Sequence, residues 1–142
     1  MQRTQNYNLC QWEAEDRIMR SDFNADNQKI DAALGAQQAA MPRIAFGSYV
    51  GDGRYGSSRP NSLTFDFEPK LLFVQSKAGG MQSGIIALRG AETAALFPGY
   101  QYSDNHYVYT TWSGNTVSWY DLQHGTYQLN TNGGTYYYLA LG

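Results

Sequence analysis

A single cysteine, Cys10, stands in the 142 residues, so no disulfide can close within the chain. A reactive thiol needs a special setting, and Cys10 reads as an ordinary small residue. There are two histidines, His106 and His124, and neither has a second ligand at metal-binding spacing. No metal and no other cofactor is expected. The net charge is only -2, so no basic field draws the chain to nucleic acid. Apolar runs stop after a few residues, as at Leu71 to Val74. A helical membrane span needs roughly 20, so no membrane insertion is expected. Glu13 and Glu15 occupy a stretch where a secretory leader would be apolar. Synthesis and assembly in a cytoplasm are therefore expected.

Catalytic signatures are missing as well. There is no G-x-S-x-G elbow, and Gly51-Asp52-Gly53 reads as a turn instead of a phosphate loop. Asp66 and Glu68 form a close acidic pair on one strand face, about 7 Å apart. That spacing is compatible with glycoside hydrolysis. Alternation, however, puts both on the solvent side of an amphipathic strand, so they read as solvated carboxylates and the chain as non-enzymatic.

The composition changes near Pro42. Of the fifteen glycines and twelve tyrosines, only Gly35 and Tyr7 precede it. Helix formers dominate the first part, and aromatic and β-branched residues with glycine punctuation dominate the second. This divides the chain into a helical oligomerisation or attachment segment with connector, 1–42, and a β-domain, 43–142. The fold class expected is mainly β: an N-terminal α-helix followed by an antiparallel β-sandwich of about eight strands.

A helix is expected from about Trp12 to Leu34. Trp12, Met19, Phe23, Ile30 and Leu34 follow one another at steps of seven, four, seven and four, with Ile18 beside them. The eleven-residue period implies a straight or slightly right-handed stripe. Asp16 and Asp26 would occupy core positions of a strict heptad, which argues against a plain left-handed coiled coil. A break is also open, with Ser21 or Asp22 capping a second helix that ends at Gly35. The stripe pairs either with other chains or with the chain's own sheet; its terminal position favours other chains. Gly35 to Pro42 reads as the connector, since Pro42 disfavours helix at Met41.

Strands are expected at Arg43 to Val50, Ser62 to Glu68, Leu71 to Ser76, Gly84 to Arg89, His106 to Ser113, Thr116 to Asp121, Thr126 to Asn130 and Thr135 to Leu141. Gly90 to Asn105 is the longest unassigned stretch and a candidate functional loop. Ser113-Gly114-Asn115-Thr116 fits a two-residue hairpin turn with glycine first. That register sets Ser113 opposite Thr116, Trp112 opposite Val117 and Thr110 opposite Trp119. Val108, Thr110, Trp112, Val117 and Trp119 then face the core, and Tyr107, Tyr109, Thr111, Ser118 and Tyr120 face outward. A slip of one residue would exchange the faces. Tyrosine pairs a rigid apolar ring with a polar tip, which suits a binding surface. The candidate ligand residues are therefore Tyr107, Tyr109 and Tyr120, with Tyr100, Tyr102, Asp104 and His106 from the adjoining loop. The last strand carries tyrosine on both faces, and burial against a neighbouring chain accounts for that best.

Near the start stand Tyr7-Asn-Leu, Gln11-Trp-Glu-Ala, Asp16-Arg-Ile and the run Asp22 to Leu34. Gly47-Ser-Tyr-Val-Gly-Asp-Gly53 and Leu63-Thr-Phe-Asp-Phe-Glu-Pro-Lys70 follow, then Thr135-Tyr-Tyr-Tyr-Leu-Ala-Leu-Gly142. In this order the segments resemble tail fibre proteins of bacteriophages and prophages. The resemblance covers about half the chain, while Gly90 to Asn130 carries little of it, as a host-range region would. It implies a homotrimer within a virion, its helix near the attachment side beside other tail or baseplate proteins. It also implies that the β-domain recognises a bacterial surface receptor, glycan or protein. Two other readings stay open: a purely structural adaptor or decoration subunit, and a polysaccharide-degrading glycosidase.

Overall fold

The computed structural model describes residues 1–79, 83–97 and 107–142. The chain forms two units, Met1–Met41 and Pro42–Gly142.

In the first unit, β1 (Gln2–Arg3) pairs antiparallel with β2 (Cys10–Gln11), and α1 spans Arg20–Ala40. The helix thus begins eight residues later than the spacing of Trp12 suggests and runs on through Gly35. Glu13 and Asp16 close a turn, the Glu13 amide donating to the Asp16 carboxylate at 2.9 Å and the Asp16 amide to the Glu13 carbonyl at 3.0 Å. Trp12 is therefore off the helix. Met19 is its N-cap residue and makes no side-chain cap bond. Neither Ser21 nor Asp22 caps the helix, and Gly35 does not end it; Met41, held extended before Pro42, does. The eleven-residue repeat is a helical stripe only at Phe23, Ile30 and Leu34. No residue of α1 is buried.

The Asp26 carboxylate joins α1 to β2. It accepts the Cys10 amide at 2.6 Å and the Lys29 ammonium at 3.1 Å. The Cys10 amide, then the Cys10 thiol, then Lys29 hold its pKa at about 2. The folded value lies below the ordinary one, so this contact strengthens the unit above about pH 4 and is lost as pH falls through about 2. A carboxyl-carbon NMR titration should place the Asp26 midpoint near 2; a midpoint near 4 would contradict the contact.

The second unit is mainly β. Its eight strands are β3 (Ile44–Val50), β4 (Asn61–Thr64), β5 (Leu71–Ser76), β6 (Gly84–Leu88), β7 (Thr93–Phe97), β8 (Val108–Ser113), β9 (Thr116–Tyr120) and β10 (Thr135–Leu141). They form one curled antiparallel sheet in the order β3-β10-β5-β6-β7-β8-β9-β4. The curl brings its two end strands together: the Asn61 side-chain amide on β4 donates to the Tyr49 hydroxyl on β3 at 3.3 Å. The hairpin register is the one the turn chemistry implies, with Ser113 opposite Thr116 and Thr110 opposite Trp119. Gly114 supplies the positive φ, +52°, that a turn with glycine first requires.

Three other strand expectations change. β4 stops at Thr64, short of Glu68. Phe65 and Phe67 still turn inward, as half-buried and buried side chains. Thr126 to Asn130 is no strand; Gln128, Leu129 and Asn130 donate their amides back to His124, Thr126 and Gly125, and Leu129 sits at φ +57°. β7 lies inside the stretch left unassigned, where Thr93-Ala-Ala-Leu-Phe lacks clear polar alternation.

Leu72, Val74, Ile85, Ala87, Val108, Val117, Trp119 and Ala140 point inward and are buried. Gly47 on β3 has no side chain because the Tyr138 ring on β10 lies over it. Gly51 is tighter: a Cβ there would meet the Thr131 carbonyl and come within 2.7 Å of the Asn130 carbonyl carbon, both backbone. Gly51→Ala should destabilise the β-domain by about 1–3 kcal/mol in urea titration. Gly35→Ala, with open space around it, should strengthen α1 by roughly 0.5–1 kcal/mol. Equal effects of the two would contradict the packing.

Candidate functional site

Every strand has an inward and an outward set of side chains, and the outer face of the sheet carries two chemistries. Over β3, β10, β5 and β6 it is mostly apolar, with Ser48 and Gln75 flanking Tyr137. One cross-strand row reads Phe46, Leu139, Phe73, Ile86; the next reads Ile44, Leu141, Leu71, Leu88. Phe46 stacks on Tyr137 with centroids 6.3 Å apart. β7 is the seam. Its Ala95 and Phe97 extend the apolar part, while Thr93 stands opposite Tyr109.

Beyond the seam, over β8, β9 and β4, the outer face is tyrosine and hydroxyl. Tyr109 and Tyr120 are cross-strand partners and stack at 5.2 Å; Tyr107 adjoins Tyr109 at 6.3 Å. Three of the five tyrosines expected as ligand residues, Tyr107, Tyr109 and Tyr120, therefore form one aromatic cluster. Hydroxyls continue the surface: Ser118 donates to Ser62 at 3.1 Å, and Thr64 and Thr116 share a hydrogen bond of 2.8 Å. Such a surface offers stacking area beside donors and acceptors at sheet spacing. Tyr100, Tyr102, Asp104 and His106 lie outside the described residues. The two hairpin tryptophans lie on the core side. Trp119 is buried, its indole N–H donating to the Gln128 carbonyl at 2.9 Å. Trp112 is half-buried with the Arg89 guanidinium over its ring at 5.3 Å.

At one end of the sheet, the 51–60 and 121–134 loops are clamped together. The buried Gln128 amide fills all four of its hydrogen-bonding positions. It accepts from the Gly56 and Asp121 amides and donates to the Arg59 carbonyl and the Asn61 side chain. The Asn130 amide donates to the Asp52 carboxylate and the Arg54 carbonyl, and its oxygen accepts the Asp52 amide. Tyr49 adds a bond from its hydroxyl to the Leu129 carbonyl at 2.7 Å. Burial first, then the neighbouring Tyr136, pushes the Tyr49 phenol far above its ordinary range. The Arg54 amide and then Asn130 hold the Asp52 carboxyl below the ordinary carboxylate value. The clamp frames an open cleft of about 350 Å³ whose lining includes Asp52, Arg54, Ser58, Arg59 and Asn130. Beside it in sequence, Tyr55 stacks on His124 at 6.3 Å, and Tyr127 packs edge-on to the same imidazole. Sequence reasoning missed this assembly, whose contacts join residues some seventy positions apart; the polar run 121–134 was the available signal.

Elsewhere, Asp66 pairs with Arg43 and Glu68 with Arg89, each on its own cation. No cluster of metal-binding side chains occurs among the described residues. Of the helical set, Phe23, Ile30 and Leu34 are exposed on one side of α1, Met19 is at its cap, and Trp12 is half-buried outside it. Comparison with protein-family models, curated proteins and solved structures gives no match.

Gln128→Leu should cost several kcal/mol, at about 1–3 kcal/mol for each buried group left unpaired. The Gly56 and Asp121 amides should lose protection in hydrogen exchange while the β5 and β6 amides keep theirs. Unchanged protection at Gly56 and Asp121 would remove the clamp from the account.

Proposed function

We propose that the chain is a non-enzymatic subunit of a phage tail fibre or tail-like particle, a homotrimer that recognises a bacterial surface receptor, most simply a glycan. The observation that carries the reading is the Tyr107–Tyr109–Tyr120 cluster continued by hydroxyls across β8, β9 and β4. Sugars present apolar C–H faces and rings of hydroxyls. Stacked phenols and a hydroxyl lattice match both, and tyrosine does so at low entropic cost. The likeness of the end segments to tail fibre proteins supports the same reading. Its place is then the virion, after assembly in a host cytoplasm, with other tail or baseplate proteins as neighbours. The two halves of the curled sheet serve in this reading as the layers of a sandwich.

A purely structural adaptor or decoration subunit is the second reading, favoured by the apolar part of the outer face. The glycosidase reading has less behind it, because Asp66 and Glu68 are each engaged by a separate arginine.

Replacing Tyr107, Tyr109 and Tyr120 together by alanine should abolish binding to host cells or a glycan array, with native mass and circular dichroism unchanged. Undiminished binding would sink this site assignment.

A further inference from the structure

Among the described residues of the β-domain, none covers the apolar half of the outer face. Ile44, Phe46 and Val50 on β3 are 63%, 73% and 66% exposed. At about 4.8 Å between strands and about 3.3 Å per residue, the five strands from β3 to β7 lay out roughly 400 Å² before side-chain relief is counted. Monomeric proteins rarely leave more than a few hundred Å² of contiguous apolar surface in water.

We infer that copies of this chain pack against one another through this half of the sheet. Three observations choose a copy over a different partner. No charged side chain stands in either apolar cross-strand row, so like faces meet without repulsion and nothing on the rows selects a partner of opposite charge. The exposed rings of Phe46 and Tyr137 already stack in a flat pair, a shape that an identical pair matches. α1 makes the same demand independently: it is 21 residues long, buries none of them and exposes Phe23, Ile30 and Leu34. A lone helix gains little stability in water without a packed face. A stable interface hides roughly 800 Å² of accessible surface per partner, and the sheet face supplies about half of that before side-chain relief is counted. Self-association satisfies both units at equal stoichiometry, which a partner fitted to only one would not.

The inference rests on the self-association stated in the proposed function and adds the surface that carries it: a monomer ends both, whereas copies that associate without this face end the inference alone. Native mass spectrometry of the full chain, across a dilution series, reads it. The wild-type chain should appear as a multiple of its 15.9 kDa mass, with a melting temperature that rises with concentration. Phe46→Glu combined with Phe73→Glu should shift it to monomer, or weaken association at least tenfold, while Tyr109→Glu on the other half leaves the mass unchanged. If the double carboxylate does not fold, Phe46→Ser combined with Val50→Ser carries the same comparison. A wild-type monomer at all concentrations overturns the inference. So does a folded sheet variant with unaltered association, including the case in which only Phe23→Glu on α1 dissociates the copies.

Discussion

A strand has two faces, and in a sheet that curls upon itself one of them must become the interior. That constraint orders the β-domain. Leu72, Val74, Ile85, Val117, Trp119 and Ala140 are inside because alternation and register leave them nowhere else. The same register sends Phe46, Leu139 and Phe73 out on one half and Tyr109, Ser118 and Thr116 out on the other. Core and surface chemistry are thus one decision. The Gly114 turn fixes it for the β8–β9 hairpin, since a shift of one residue would bury the tyrosines and expose both tryptophans.

Closing the sheet ends creates a second requirement. The 51–60 and 121–134 loops meet where backbone groups would otherwise be stranded. Gln128 and Asn130 supply side-chain amides for them, and Tyr49 and Trp119 add a hydroxyl and an indole N–H. A buried amide with every position filled holds one arrangement and makes others costly. The loops that bear Tyr55 and His124 are therefore set by the interior, a rigid mounting for exposed side chains.

How legible this was in the sequence depends on the range of the forces. The β8–β9 register and the strand Thr135–Leu141 could be read because period-two alternation and turn residues act locally. The Tyr107–Tyr109–Tyr120 cluster followed from that register alone. α1 starts later than the spacing of Trp12 and Met19 implies, because the Glu13–Asp16 turn claims the intervening backbone. β7 escaped because its alanines carry no amphipathic signal. The role of Gln128 is not legible because three of its four side-chain partners lie some seventy residues away, where no pattern within a window can reach them. The end-to-end order of the strands is non-local for the same reason.

In the reading proposed above, the outer face is a divided surface: an apolar half for assembly and a tyrosine–hydroxyl half for recognition. Hydroxyl-radical footprinting of the assembled full-length protein tests that division most directly. Phe46, Leu139 and Phe73 should be protected relative to the protein diluted below its association range, while Tyr109 and Tyr120 are oxidised equally in both. Equal oxidation of both halves in both samples, or protection of the tyrosines in place of the phenylalanines, would contradict it.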